Sequence, residues 1–517
     1  MANTSLFSTI RGALLPSATV RNEAGGLAYA RSPESALALY AATGCLNGTF
    51  YASDEQQLER ALQLCAQVEP GFVARTAIYA RQVARMKDMP ALLLATLTTR
   101  DRDAFARAFP RVVDNGRMLR NFVQILRSGR VGRKSLGSLP RRLVRQWLEQ
   151  ASVDAIVNAA IGNQPSLADV IRMVHPKPAD AQREALYAWV IGKAYREDLL
   201  PEKLQAYEAF KREPGEELPD MPFQYYTALQ LTPSHWKTLA ASASWQTLRM
   251  NLNTFARNGV FADGAMVAKV ACRLRDPEQI RRARVFPYQL LMAFNAIGTD
   301  LPAAIGGALQ DAMEVATRQV PVLGGNVVIA VDVSGSMQSP VTGFRKGSTT
   351  AVRCVDVAAL VAACVQRTNP DARVMPFNTQ VRALRLNPRD SVMTQARELA
   401  AMLGGGTAIS SPLARLNNER AKVDLLVIVS DNQSWSDTRH GGATETMRQW
   451  AQIKARCPQA RMVCIDLQPV ASSQVVERDD VLHVGGFSDA VFDLLAVYAA
   501  QGAGATRWVE RIASIEL

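Results

Sequence analysis

With 517 residues the chain exceeds one ordinary domain of roughly 100–200 residues and has room for several. Hydrophobic residues make up 48% and charged residues 21%, with a mean hydropathy of −0.04, which excludes a largely disordered or collagen-like polypeptide. Lys and Arg outnumber Asp and Glu by 59 to 47, and the net charge of +12 directs attention to polyanions and anionic surfaces as partners.

The charge is uneven along the chain. Residues 321–517 hold 20 basic and 18 acidic side chains, so +10 of the excess falls on residues 1–320. Residues 1–11 lack the apolar run of a secretory signal, and the apolar run at 326–333 is too short to span a bilayer, so a cytoplasmic protein is expected. From about 35 to 315 the sequence reads as helix after helix. Ser53, Asp54 and Glu55 supply capping residues ahead of Leu58, Ala61, Leu62 and Cys65, which are spaced i, i+3, i+4, i+7. The pattern continues over 72–86, and Pro90 opens an apolar helix at 91–98. Further helices are predicted over 117–126, 140–150, 167–173, 181–194, 203–210, 245–256, 263–273 and 301–318, separated by joints such as Arg212-Glu213-Pro214-Gly215 and Arg257-Asn258-Gly259. Helix pairs with short connections predict a ring or solenoid of HEAT-like repeats, although no clean sequence period is present.

Near Pro321 the pattern changes. Strands are predicted at 326–333, 373–377, 423–430 and 461–467, and helices at 355–367, 391–403, 444–455 and 489–500. Strands alternating with helices imply crossover connections and a doubly wound, mostly parallel sheet covered on both faces. The predicted class is therefore α + α/β, with a helical-repeat domain over 1–320 and an α/β domain over 321–517.

Ligands of open α/β sheets gather at the carboxyl ends of the strands. The first strand ends in Asp332-Val333-Ser334-Gly335-Ser336, the central strand ends in Asp431-Asn432, and Gly404-Gly405-Gly406 delivers Thr407. These loops offer carboxylate and hydroxyl oxygens only, which suit Mg²⁺ foremost, and also Mn²⁺ or Ca²⁺. The seven cysteines form no CxxC pair, and with only His175, His235, His440 and His483 a Cys/His zinc site is not expected. An odd, scattered set of cysteines fits a reducing compartment. Each loop taken alone also reads as the cap of a following helix; the conjunction of three favours the metal. Neither GxGxxG nor GxxxxGK[ST] follows the first strand, which disfavours a nucleotide site.

These residues resemble the metal-ion-dependent adhesion site (MIDAS) of von Willebrand factor A (vWA) domains, whose pattern is DxSxS, then Thr, then Asp. The matching segments are DVSGS at 332–336, GGGT at 404–407 and SDN at 430–432. The resemblance implies Ser334, Ser336 and Thr407 as direct ligands, Asp332 and Asp431 as ligands directly or through water, and an unfilled coordination position that accepts a carboxylate from a protein partner.

Residues 117–145 carry nine basic side chains and no acidic one: Arg117, Arg120, Arg127, Arg130, Arg133, Lys134, Arg141, Arg142 and Arg145. Arginine's planar fork suits phosphate, and Phe122 and Trp147 are candidate stacking surfaces for bases. A second group, Lys269, Arg273, Arg275, Arg281, Arg282 and Arg284, is diluted by Asp276 and Glu278 and reads equally well as a solvated helix face. His175 lies in Arg172-Met173-Val174-His175-Pro176-Lys177-Pro178, a proline-fixed loop after a helix, where packing or capping is the ordinary role.

A basic helical front half joined to an A-type domain resembles the Ro autoantigen family, the TROVE-domain proteins, in a bacterial form. Supporting stretches are Asn22-Glu23-Ala24-Gly25-Gly26, Gly48-Thr49-Phe50-Tyr51, residues 172–178, Ala283-Arg284-Val285-Phe286-Pro287-Tyr288 and DVSGSM at 332–337, in an order that extends over residues 22–492. The resemblance implies a helical ring whose positively charged hole takes single-stranded 3′ ends of misfolded RNA, and an outer surface that binds small non-coding Y RNA. It makes His175 an RNA contact, and it implies an exoribonuclease partner such as polynucleotide phosphorylase, tethered through a Y-like RNA. Positions where animal members carry basic Y RNA contacts fall here at Asn158 and Gly162, a departure from the family pattern.

The leading expectation is thus a non-catalytic ribonucleoprotein component in RNA quality control, rRNA maturation or stress-linked decay. A second is a metal-dependent interaction module for an acidic protein. A metal-activated hydrolase is the third, disfavoured because no motif positions a general base and no carboxylate pair suggests two-metal chemistry.

Overall fold

A computed structural model describes residues 15–517 except Cys45, Arg284, Phe286, Gln319, Arg385, Pro388 and residues 345–351, 437–441, 487–489 and 502–507. Among the positions raised above, residues 1–11, Cys45, Arg284, Phe286, His440 and Asp489 therefore lie outside the described residues.

Residues 33–317 form a run of helices with short joints. Local chemistry sets their ends. Ser53 caps Asp54–Gln67 in a capping box, its hydroxyl accepting from the Gln56 amide at 3.3 Å while Gln56 Oε1 accepts from the Ser53 amide at 2.9 Å. Asn115 caps Gly116–Arg127 through the Met118 amide at 3.1 Å. That helix buries Met118, Leu119, Phe122, Val123 and Leu126, and Gly116 lies so close to Ala159 that a Cβ there would sit 2.0 Å from the alanine methyl. The helix predicted over 245–256 is two helices, Trp245–Met250 and Leu252–Arg257. Between them Asn251 leaves helical geometry (φ −117°, ψ 16°), its side chain bonding back to the Thr247 carbonyl at 2.8 Å, a competition for backbone groups that asparagine favours.

Phe122 is not a stacking surface for bases. It is fully buried, 5.7 Å from Phe105 and 5.5 Å from Phe109 between ring centroids. Phe122→Ala is expected to cost about 3–5 kcal/mol, read as a lowered denaturant midpoint, because the cavity it leaves is lined by rings that cannot collapse into it.

The α/β part is a five-stranded, all-parallel sheet. Numbering all strands in chain order, β1 is Val20–Arg21, β2 Leu27–Ala30, β3 Val327–Asp332, β4 Arg373–Phe377, β5 Leu425–Ser430, β6 Arg461–Asp466, β7 Ser472–Ser473 and β8 Val481–Gly485. The large sheet runs β4-β3-β5-β6-β8, so β5 is central and the strand order reverses between β3 and β5. Its strands alternate between two cores with the period of a pleat. Val327, Ile329 and Val331 belong to a core continuous with the helical run, whereas Val328 and Ala330 face a second one with Met447, Trp450 and Ile453.

The helical run starts and ends on this α/β part. At its start, Pro33–Thr43 packs on β8, where Gly485 leaves room for Leu39 and Trp508. At its end, Ala303–Thr317 packs on Cys354–Thr368 and Val392–Ala400. The C-terminal helix Trp508–Ala513 returns to Pro70–Gln82, with Trp508 edge-on to Tyr79 at 6.1 Å. Both ends meeting one partner closes the run into a ring.

One connection had no periodic signal in the sequence. β1 and β2 form an antiparallel ribbon, and β2 pairs with β7 through Tyr29 opposite Ser473 and Ala30 opposite Ser472. The ribbon is held by a buried ion pair, Arg31 to Asp466 at 2.5 Å, with both side chains at most 3% exposed. Arg31→Ala is expected to lower stability by about 3–5 kcal/mol, because Asp466 would remain buried without its partner, while the paired change to Met and Leu is expected to be far milder. Thermal unfolding of the two variants separates these outcomes.

Candidate functional site

The reversal of strand order between β3 and β5 opens a crevice at the carboxyl ends of those strands, the place where such sheets bind ligands. Asp332 is the last residue of β3, and Asp431 follows the last residue of β5. Loop geometry brings the other predicted residues to them. Gly405 has φ +86°, which an L side chain rarely adopts, and a Cβ there would meet the Asn378 amide nitrogen at 2.9 Å. The glycine run is stitched to the first loop by Gly404 N–H to the Val333 carbonyl at 2.8 Å and Gly335 N–H to the Gly405 carbonyl at 2.9 Å. It is stitched to the third by Trp435 and Ser436 amides donating to the Thr407 carbonyl at 3.1 and 3.0 Å. Asn432, at φ 64°, turns the chain sharply off β5.

Asp332, Ser334, Ser336, Thr407 and Asp431 are all buried, none more than 6% exposed. Asp332 accepts from the Ser334 amide at 2.8 Å and from the Ser430 hydroxyl at 2.6 Å; the Ser334 and Ser336 hydroxyls are 3.3 Å apart. Asp431 accepts from the Gln433 amide at 3.3 Å. Burial first, and then the Asp332 charge, push the Asp431 carboxyl up to about 7, and burial raises Asp332 as well. The groups acting on the pair are Ser334, Ser336, Ser430, Gln433 and Asp466, none of them a cation. Two buried carboxylates with hydroxyls beside them and no cationic partner among these groups are a donor set that fits a hard divalent ion. Among the described residues no cluster of three or more His, Cys, Asp and Glu side chains able to hold a metal is present; the set here is of another kind, two carboxylates with three hydroxyls.

Sequence reasoning missed two contributors. Ser430 fixes the Asp332 carboxylate, and in the helical half burial first, and then the Asp431 charge, push the Tyr51 phenol up to about 12. Both lay in stretches already singled out, SDN and Gly48–Tyr51, without a role attached to these side chains.

The basic candidates divide by what holds them. Arg117, Arg127, Lys134, Arg141 and Arg142 are exposed and make no ion pair or hydrogen bond with described residues. Arg130 is exposed but pairs with Glu55 at 3.1 Å. Arg120 spans to the Ile161 and Pro165 carbonyls, Arg133 to those of Ser135 and Thr98, and Arg145 to that of Val174 at 3.0 Å. These candidates lie on Gly116–Arg127, on Ser138–Gln150 and on the loop between; both helices pack against Leu167–Val174. His175 is the left-handed C-cap of that last helix, with its side chain exposed beside the Arg145 anchor. In the second basic group, Arg273 caps carbonyls of Ala240, Ala241 and Ala243, Arg281 and Arg282 pair with Glu278, and Arg275 lies 3.7 Å from Asp311. Asn158 is exposed, and Gly162 abuts the Arg120 guanidinium.

The fold and this oxygen-lined cluster define a class, a ring of helical repeats closed by an α/β domain of the von Willebrand factor A type. The family model for the Ro60 vWA domain matches residues 326–499. "RNA-binding protein RO60" of Deinococcus radiodurans is 30% identical over 93% of this chain and 95% of its own length, and the Caenorhabditis elegans protein of the same name is 24% identical over 56% of this chain and 46% of its own. The crystal structure of the Deinococcus radiodurans RO (RSR) protein shares the fold, with a TM-score of 0.61 and 24% identity over 90% of this chain and 99% of that one. The chain belongs to the Ro60 family.

Among the described residues no helix is long and apolar enough to cross a membrane.

Proposed function

We propose that this protein is a non-catalytic RNA-binding protein that takes small Y-like RNA and the single-stranded ends of misfolded or precursor RNA, in RNA quality control, rRNA maturation or stress-linked decay. The observation that carries the reading is the set of exposed basic side chains with no ion-pair or hydrogen-bond partner among the described residues, Arg117, Arg127, Lys134, Arg141 and Arg142, on the helical half. Arg120 and Arg145 are held by backbone carbonyls, whereas the exposed neighbours keep their guanidinium and ammonium groups available for phosphate, in a stretch with no acidic residue to offset them. The relatives' shared name, RNA-binding protein, supports the same reading. An exoribonuclease such as polynucleotide phosphorylase, joined through the Y-like RNA, is the partner the family resemblance suggests, and the cytoplasm is the compartment. Binding of a labelled single-stranded RNA, measured by anisotropy at rising salt, tests the proposal. Affinity should fall steeply as counterion release loses its driving force, and an affinity indifferent to salt would refute it.

A second reading is favoured by the buried oxygen cluster. Asp332, Ser334, Ser336, Thr407 and Asp431 would hold a divalent cation, Mg²⁺ foremost and Mn²⁺ or Ca²⁺ otherwise. A bound ion would neutralise the two carboxylates and offer a positive centre to an acidic protein partner. The readings are compatible, since the cluster lies at the carboxyl ends of β3 and β5 and the unpaired basic residues lie on the helical half.

A further inference from the structure

We propose that a cleft between the helices Asp54–Gln67 and Gly116–Arg127 seats one unstacked base of a single-stranded RNA whose phosphates the neighbouring arginines hold. The inference deepens the RNA-binding reading and rests on it.

The helix Gly116–Arg127 turns Met118, Leu119, Phe122, Val123 and Leu126 into the core. Arg117, Asn121, Gln124 and Ile125 fall on its other side, at the i, i+4, i+7, i+8 spacing of a single stripe. Ile125 is the apolar member of that stripe, and it does not stand alone. Both Gly116–Arg127 and Asp54–Gln67 pack on Asp88–Arg100, and between the two lies a cleft of about 310 Å³. Leu46, Leu58, Leu92 and Ile125 give it an apolar lining; Leu92 is buried and the other three are half-buried. Its polar lining includes Asp88, Asn121 and Gln124. Asn121 Nδ2 donates to Asp88 at 3.4 Å, and the Gln124 side-chain amide bonds to no other described residue. Apolar walls with a few polar groups are the composition of a site for a small planar ligand.

Charge selects that ligand. Arg117 and Arg127, on the same helix, are exposed and have no partner among the described residues. Arg130 lines the cleft itself. Ser128 fixes the turn that carries it, its hydroxyl donating to the Ile125 carbonyl at 2.6 Å and accepting from the Arg130 amide at 3.2 Å. Arg130 pairs with Glu55 at 3.1 Å, but both side chains are more than half exposed, and so exposed a pair contributes little and gives way to a phosphate. Within the cleft the sign is reversed. The Asp88 carboxylate repels a phosphate and accepts from the amino or ring N–H groups of a base.

A base flanked by phosphates satisfies both demands. Its faces meet the leucines and Ile125, its edge meets Asp88, Asn121 and Gln124, and its backbone meets Arg117, Arg127 and Arg130. A single strand presents such a base because its bases splay out, whereas a duplex keeps them stacked. The aliphatic lining thereby takes the place of Phe122, which lies on the buried side of the same helix.

Anisotropy titrations of the full chain with a short single-stranded oligoribonucleotide, and with the abasic ribose-phosphate strand of the same length, test the base seat. Wild type should bind the complete strand on the order of tenfold or more tightly than the abasic one. Leu58→Gln combined with Ile125→Gln keeps volume and charge, and should cut that ratio about tenfold while leaving the salt slope unchanged, because no phosphate contact is lost. Asn121→Ala combined with Gln124→Ala removes only edge contacts and should cut the ratio less; it carries the test if thermal melts show the glutamine variant unfolded. A ratio equal to that of wild type in every folded variant, with salt-dependent binding intact, would overturn the base seat and leave the RNA reading standing. Wild type that binds neither strand would overturn both.

Discussion

Charge reversal at Arg117, Arg127, Arg141 and Arg142 together is expected to weaken single-stranded RNA binding on the order of 100-fold or more near physiological salt, with little change in stability. The four are exposed and their side chains bond to no other described residue, so on the proposed function their replacement should remove phosphate contacts while leaving the fold in place. The slope of log affinity against log salt should become shallower by about 3, because each phosphate neutralised on a single strand contributes about 0.7. Arg120 and Arg145 belong in the opposite arm of the experiment. Their guanidinium groups hold the carbonyls of Ile161, Pro165 and Val174, so Arg120→Glu should lower the unfolding temperature as well as the affinity. Anisotropy titrations at several salt concentrations, with thermal melts of each variant, separate the two arms. An unchanged salt slope in the four-residue variant would place the RNA elsewhere on the molecule.

A divalent cation is expected to raise the unfolding temperature of the wild-type protein and to leave that of Asp332→Ala unchanged. The two buried carboxylates repel each other in the folded chain, so an ion that binds the folded form alone should stabilise it by about 2.7 kcal/mol at a hundred times its dissociation constant. Asp431→Asn sharpens the test. It removes one of two repelling charges without changing shape, so this variant should be at least as stable as wild type in chelator and should no longer respond to Mg²⁺. RNA affinity should be the same in all three proteins, since no predicted ion ligand lies on the helices that carry the unpaired arginines. A melt in which Asp332→Ala responds to Mg²⁺ as wild type does would remove the cation from the cluster.

The MIDAS-like residues were readable because their chemistry is local. Asp332, Ser334 and Ser336 share one turn, and the strand ahead of them announces itself by its β-branched run; the strand predicted over 373–377 matches Arg373–Phe377 throughout. Helix starts were readable for the same reason, since Ser53 and Gln56 find each other within one turn. Phe122 was misjudged although a signal existed: Met118, Phe122 and Leu126 recur every four residues, the spacing of a buried helical stripe.

Partner choice was a different matter. That Arg117 would stay free while Arg120 is spent on carbonyls some 40 residues away depends on where the 161–165 loop folds, and nothing in a basic run distinguishes the two. The ribbon of β1 and β2 pairs with a strand more than 440 residues later through two-residue contacts, too short for any period to show. The 47–48 loop meets the 342–344 segment for a similar reason: the helical run returns to the sheet domain at both ends, and only that closure brings the Phe344 amide to the Gly48 carbonyl. Residue chemistry within a few positions told what each segment is and where carboxylate and hydroxyl oxygens and basic side chains gather. Which charges remain unpaired, and how the three loops close on one another, were settled by contacts between distant segments, because periodicity and capping act over one or two turns while pairing energy is gained wherever the folded chain brings two groups together.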